Sequence, residues 1–93
     1  MKISFDPAKR EWTLRERGLD FESAAEVFAG ATFDQVDNRQ DYGEQRIVTV
    51  GRLNKRMVVI VWTARSGVRH VISMRKANDR EKARYENRLQ ESR

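Results

Sequence analysis

Arginines and one glutamate–tyrosine pair are the groups in this sequence best suited to chemistry. Arg65, Arg69 and Arg75 lie along two short extended segments joined by Ser66-Gly67. Arg46 falls in the extended segment before them, and Glu81 is followed one helical turn later by Tyr85. A guanidinium is a rigid fork of N–H donors that matches the oxygens of a phosphate. A carboxylate or phenol beside it can move a proton. Together they suit the holding of a polyanion and the compensation of charge that builds up on phosphorus.

The distribution of charge agrees. Among 19 Lys+Arg and 14 Asp+Glu, ten of each lie in residues 1–64 and cancel, so the net +5 belongs to residues 65–93, with nine basic and four acidic groups. Fourteen of the 19 cations are arginine. Basic charge gathered on one hairpin and one helix is the pattern of a polyanion-binding surface. Its plainer meaning is a solvated face. Arg80, Arg84 and Arg88 recur every fourth residue, stacking like charges on one helical face at a cost of a few tenths of a kcal/mol per pair. An anionic ligand or acidic partner relieves that repulsion, and solvent can also tolerate it.

Composition narrows the class. Ninety-three residues make one domain, 1–93, with a modest core. The chain has no cysteine, which removes disulfides and thiolate metal sites, and its single His70 has no second ligand at metal spacing. No cofactor is expected. No apolar run approaches the roughly 18 residues of a membrane span, and Met1 to Phe5 does not read as a signal peptide, so a soluble, cytoplasmic protein without membrane contact is expected. A hydrophobic fraction of 39% is low for a small domain, which suggests that a partner covers part of its surface.

The elements that must position these groups follow from local signals. Residues 2–5 read as a short strand. Asp6-Pro7 opens a helix that runs to about Arg17 and stops at Gly18. Asp20 caps a second helix, with Phe21, Ala24, Ala25, Val27 and Phe28 as its apolar stripe and Gly30 as its end. Thr32 to Asp37 is a weak strand and Asn38 to Gly43 a polar loop. Glu44 to Arg52 alternates, with Ile47 and Thr49 facing one way and Arg46, Val48, Val50 and Arg52 the other. Met57 to Trp62 is a continuous apolar run, as in a strand covered on both faces. Val68 to Arg75 alternates again, which places Val68, His70, Ile72 and Met74 on one face and Arg69, Val71, Ser73 and Arg75 on the other. Asn78 and Glu81 form a capping box that opens the last helix, with Ala83, Tyr85 and Leu89 as its apolar content. An α+β fold results: an antiparallel β-sheet with two N-terminal helices and one C-terminal helix. Trp12, Trp62, Phe21 and Phe28 are expected in its core. Phe33, Tyr42 and Tyr85 are less committed, and one of them could stack on a base.

The strings FDPAKREWTLRERGLDFESAAEVF, YGEQRIVTVGRLNKRMVVIVWTAR and RHVISMRKANDREKARYE resemble, in order and spacing, the BrnT family of bacterial toxins from type II toxin–antitoxin pairs. The most specific matches are Gly43, Glu44 and Arg46; Thr63 and Arg65; Ile72, Ser73, Arg75 and Ala77; and the pair Glu81 and Tyr85. The resemblance implies a RelE-like ribonuclease fold and a toxin that cleaves RNA and inhibits translation. It also implies neutralisation by a ribbon-helix-helix antitoxin of the BrnA kind, which gives the complex its DNA binding. Two segments depart from the family. Thr13 and Glu16-Arg17-Gly18 stand where relatives often carry Asn and Lys-His-Gly, so Arg17 replaces a histidine that would titrate near neutral pH. Gly30-Ala31 replaces an Asp-Pro.

RNA can be cleaved without metal when its own 2′-hydroxyl attacks the adjacent phosphate, provided the protein holds that geometry, stabilises the phosphorane and moves protons. On this reading Arg46, Arg65, Arg75, Glu81 and Tyr85 are the candidate catalytic residues. Arg69, Lys76, Arg80, Arg84 and Arg88 are the candidate RNA-binding residues. The base is Glu44 or Glu81, although the capping box gives Glu81 a competing structural role. Tyr85 would support the phosphate or leaving group. His70 is better explained as a core or interface histidine than as a catalytic one. A non-catalytic nucleic-acid or protein-binding module of the same fold, inactive because Arg17 replaces the histidine, is the alternative. A structural adaptor is a third reading, favoured only if the Arg stripe is buried against a partner.

Overall fold

The computed structural model describes residues 2–91, so Met1, Ser92 and Arg93, the ends of the expected 1–93 domain, lie outside the described residues. In chain order it comprises β1 (Ile3–Phe5), α1 (Pro7–Arg17), a 3-10 turn (Phe21–Ser23), α2 (Ala24–Ala29), β2 (Phe33–Asp37), β3 (Arg46–Leu53), β4 (Arg56–Arg65), β5 (Val68–Lys76) and α3 (Asp79–Glu91). The strands form one sheet in the order β1-β5-β4-β3-β2.

The α+β class holds, with two corrections. Strand β1 pairs with β5 in parallel, Ser4 opposite His70, so the sheet is mixed and not wholly antiparallel. The second helix does not begin at Asp20. Asp20 instead caps the 3-10 turn by accepting from Glu22 N at 2.9 Å, and the α-helix is confined to Ala24–Ala29. The cause is divided labour at Asp20, whose carboxylate also takes both nitrogens of an Arg10 fork at 2.8 and 2.9 Å and ties the turn to α1. The first helix follows expectation: Asp6 accepts from Ala8 N, and Gly18 ends the helix in the left-handed region, φ 69°.

The β3–β4 and β4–β5 hairpins each close through two residues of positive φ, Asn54-Lys55 (51° and 69°) and Ser66-Gly67 (53° and 76°). Turns of that hand match the twist of the strands they join.

The sheet buries both faces. Phe21, Ala24, Val27 and Phe28 pack against Val58, Ile60, Trp62, Val71 and Met74. On the opposite face α3 lays Leu89 over Val50, Met57, Val59 and Ala77, with Tyr85 and Phe33 at the margin. Burial of Leu89 alone contributes about 2 kcal/mol, which anchors a helix otherwise composed mostly of polar residues. The alternation expected of β3 is observed: Ile47 belongs to the first cluster, while Val48 and Val50 belong to the second. Thr49 is fully buried on the α2 side, accepting from Trp62 Nε1 and donating to Asp34 Oδ1, both at 2.7 Å. Trp12 corrects the expected core. It is 46% exposed on α1, beside Leu14 at 45%, and Thr13 is the buried residue of that helix.

Gly51 sets how closely α2 approaches the sheet. A Cβ there would stand 2.6 Å from Val27 Cγ1 and 3.2 Å from Thr32 Cγ2. Gly51→Ala is therefore expected to destabilise the chain by about 1–3 kcal/mol through overpacking. Urea denaturation would measure it, and an unchanged midpoint would contradict this account of the helix–sheet spacing.

Candidate functional site

A single irregularity in β5 decides which arginines meet. Between Val61 and Trp62 the β4–β5 register shifts, so Val61 faces Ser73 while Trp62 faces Val71. Ile72 is the extra residue, and the alternation expected along Val68 to Arg75 breaks there. As a result Arg69 shares a face with Val71 and Met74, not with Ser73 and Arg75. Its guanidinium lies 4.5 and 4.6 Å from the ring centres of Phe28 and Trp62, on the α2 side. His70 correspondingly leaves the apolar face. Lys76, exposed and opposite Val58, is likewise on the α2 side.

Helix α3 covers only part of the other face, and the remainder forms a cavity of about 670 Å³. Val48, Val59 and Val61 make its floor, and Arg17, Arg39, Arg75, Asp37, Ser73 and Gln35 line it. Three guanidiniums thus converge from the end of α1, from the loop after β2 and from β5. Arg17 Nη1 donates to the carbonyl of Met74 at 3.0 Å, which pins that side chain against β5. Neither Arg17 nor Arg39 is among the site residues expected from the sequence. The substitution at Arg17 was legible in the sequence, but its destination was not.

Arg75 is held by Glu81 in a two-pronged pair, 2.7 Å at each oxygen. The same carboxylate accepts from Asn78 N while Asn78 Oδ1 accepts from Glu81 N, the reciprocal capping box expected at the start of α3. Arg75, and secondarily the Asn78 amide, hold the Glu81 carboxyl down at about 2 against the opposing effect of burial. Glu81 is therefore ionised but a weak base, and its geometry suits positioning Arg75. Asp37 is similar. Its side chain is 2% exposed and accepts from Arg39 Nε and Nη2 at 2.8 Å and from Tyr42 Oη at 3.1 Å. The Arg39 fork first, with Tyr42 assisting, keeps this carboxyl far below the usual range. A guanidinium has more N–H donors than a carboxylate can use, so Arg39 and Arg75 remain able to bind phosphate while paired.

Arg46 borders this group. It stacks on Tyr42, 3.9 Å from the ring centre, with Nε buried and lacking a hydrogen bond. Glu44 stands 3.7 Å from Arg46 Nε and 3.3 Å from Arg65 Nη2. Arg65 and Glu44 thus form a second cluster, joined to the cavity through Arg46, Tyr42 and Asp37. His70 is half-buried, its Nδ1 2.9 Å from Ser4 Oγ, and burial, then the charge of Arg65, lowers its pKa.

Tyr85 is not in the cavity with Arg75. It packs against Phe33 with ring centres 5.4 Å apart, donates weakly to Gln35 Oε1 at 3.4 Å, and lines an adjacent groove with Arg84 and Arg88. Arg80 is exposed at the start of α3 and lines neither space. Among the described residues, no three His, Cys, Asp or Glu side chains are placed to hold a metal ion, and no helix is long and apolar enough to cross a membrane.

Residues 5–81, most of the chain, match the model of the family described as "Ribonuclease toxin, BrnT, of type II toxin-antitoxin system". The chain belongs to the BrnT family. No curated protein matches it by sequence. The BrnT match contains α1, strands β2 to β5 and the start of α3 through Glu81, so it includes every residue named here as lining the cavity. As a BrnT ribonuclease toxin of a type II system, the chain has RNA as its substrate and an antitoxin as its partner.

Proposed function

We propose that this BrnT protein is an endoribonuclease of RelE-like architecture that cleaves RNA without a metal ion, through attack of the ribose 2′-hydroxyl on the adjacent phosphate. Translation stops as a consequence. The observation that carries this reading is the convergence of Arg17, Arg39 and Arg75 on one apolar-floored cavity. Three guanidiniums held in place beside a floor of valines can donate to the oxygens of a phosphorane as its charge builds up. Arg75, kept in place by Glu81, neutralises the phosphate. Arg46 and Arg65 extend the positive path for the RNA strand, and Arg17 supplies charge where relatives often place histidine.

Proton transfer distinguishes this reading from others. Glu81 and Asp37 are ionised well below neutral pH and have little basicity. Solvent hydroxide takes the 2′-hydroxyl proton, the P–O5′ bond breaks as the 2′,3′-cyclic phosphate forms, and water protonates the departing 5′-oxygen. The cavity acts by stabilising the 2′-alkoxide and the phosphorane, and the cleavage rate is expected to rise with pH from about 6 to 9. Michaelis constants and turnover across that range would test it. A plateau above pH 6–7 would instead place a titrating base in the reaction, with His70 as the group to examine.

The partner is proposed to be a ribbon-helix-helix antitoxin of the BrnA kind, meeting the toxin in the cytoplasm. An acidic and apolar segment would order on the basic face of this chain. Co-expression with the product of the adjacent gene is expected to give a stable complex that melts well above the toxin alone and binds its own promoter. Separate elution of the two proteins at micromolar concentration would contradict the pairing.

A further inference from the structure

The ribonuclease reading uses the cavity but not the groove next to it. That groove, about 320 Å³, is lined by Phe33, Gln35, Arg84, Tyr85 and Arg88. Gln35 lines both spaces, so the two are continuous across one side chain of β2. Resting on that reading, we propose that the groove is a subsite for a guanine base next to the phosphate held by Arg17, Arg39 and Arg75.

The ring content points to a base. Phe33 and Tyr85 are half-buried, with ring planes inclined at 36°. Aromatic faces and guanidinium planes are the surfaces on which unpaired bases stack. Arg88 already lies 4.9 Å from the Phe33 ring centre and Arg84 6.0 Å from that of Tyr85. A base entering here meets aromatic and guanidinium planes together.

Polar content points to guanine. Arg84 and Arg88 offer only donors. Tyr85 donates weakly to Gln35 Oε1 at 3.4 Å, which biases the amide orientation so that its NH2 group adds donors to the groove. No carboxylate lines the groove. A base received mainly by donors is best matched by adjacent acceptors, and guanine has them in O6 and N7, the pair that arginine reads with both prongs. Adenine would bring its N6 amino donor against these same donors.

Titration of the full-length protein with guanosine 3′-monophosphate and adenosine 3′-monophosphate, followed by NMR, tests the assignment directly. The guanosine nucleotide is expected to shift signals of Phe33, Gln35 and Tyr85 and to bind about fivefold or more tightly than the adenosine nucleotide. Tyr85→Phe keeps the ring but frees the Gln35 amide to rotate, so both nucleotides should still bind while the preference declines. Equal affinities in the wild type, or shifts confined to other surfaces, would overturn the proposal. Mapping of cleavage sites on a mixed-sequence RNA separates it from the nuclease reading. Cuts enriched for guanine at one flanking position support the subsite. Cuts with no base preference overturn the subsite but leave the nuclease intact. An uncut RNA, together with guanosine-selective shifts in the groove, overturns the nuclease and supports the groove as a guanine site.

Discussion

Arg75→Ala is expected to lower RNA cleavage by about a hundredfold or more, and to abolish growth arrest on induction, while the chain remains folded. Removal of a charge-stabilising donor from a reacting phosphate typically costs a few kcal/mol of transition-state stabilisation. Arg75 suits that role because it lines the cavity and is fixed at both prongs by Glu81. The fold should survive, since the pair is partly exposed and such pairs contribute little to stability. The capping box also persists without the arginine, because Glu81 still accepts from Asn78 N. Arg75→Lys retains a charge but loses the fork, and should recover only part of the activity. Cleavage of labelled RNA and thermal melting should be measured on the same preparations. Full activity in a folded Arg75→Ala protein would remove this cavity from the mechanism.

Elements governed by local chemistry were legible before the structure. Asp6-Pro7 and Gly18 bounded α1, and Asn78 with Glu81 opened α3. Ser66-Gly67 marked the hairpin between β4 and β5. The family was legible as well, because its motifs span the chain. What the sequence concealed was a consequence of pairing. The bulge at Ile72 depends on how β4 and β5 align, and no residue type there announces it. Strict alternation therefore put Arg69 beside Arg75, when the two lie on opposite faces of the sheet. Trp12 was misplaced for a related reason. Size and hydrophobicity favour burial, but the sheet-facing side of α1 is set by its packing, and that side carries Thr13. Arg17 and Arg39 come from a helix end and a loop, and only the folded chain brings them together with Arg75.

Dependence on the 2′-hydroxyl is the other effect expected to be near complete. If the nucleophile belongs to the RNA, replacing it leaves nothing to attack phosphorus, whatever charge the protein supplies. The positive charge of the cavity comes from side chains, so chelation should not disturb it. The most direct measurement is incubation of the purified protein, in excess EDTA, with three 5′-labelled oligonucleotides of one sequence: RNA, 2′-O-methyl RNA and DNA. Cleavage of the RNA alone is expected, with 2′,3′-cyclic phosphate at the new ends. Cleavage of the DNA or the 2′-O-methyl strand, or activity that appears only when Mg²⁺ is restored, would contradict metal-free attack by the 2′-hydroxyl.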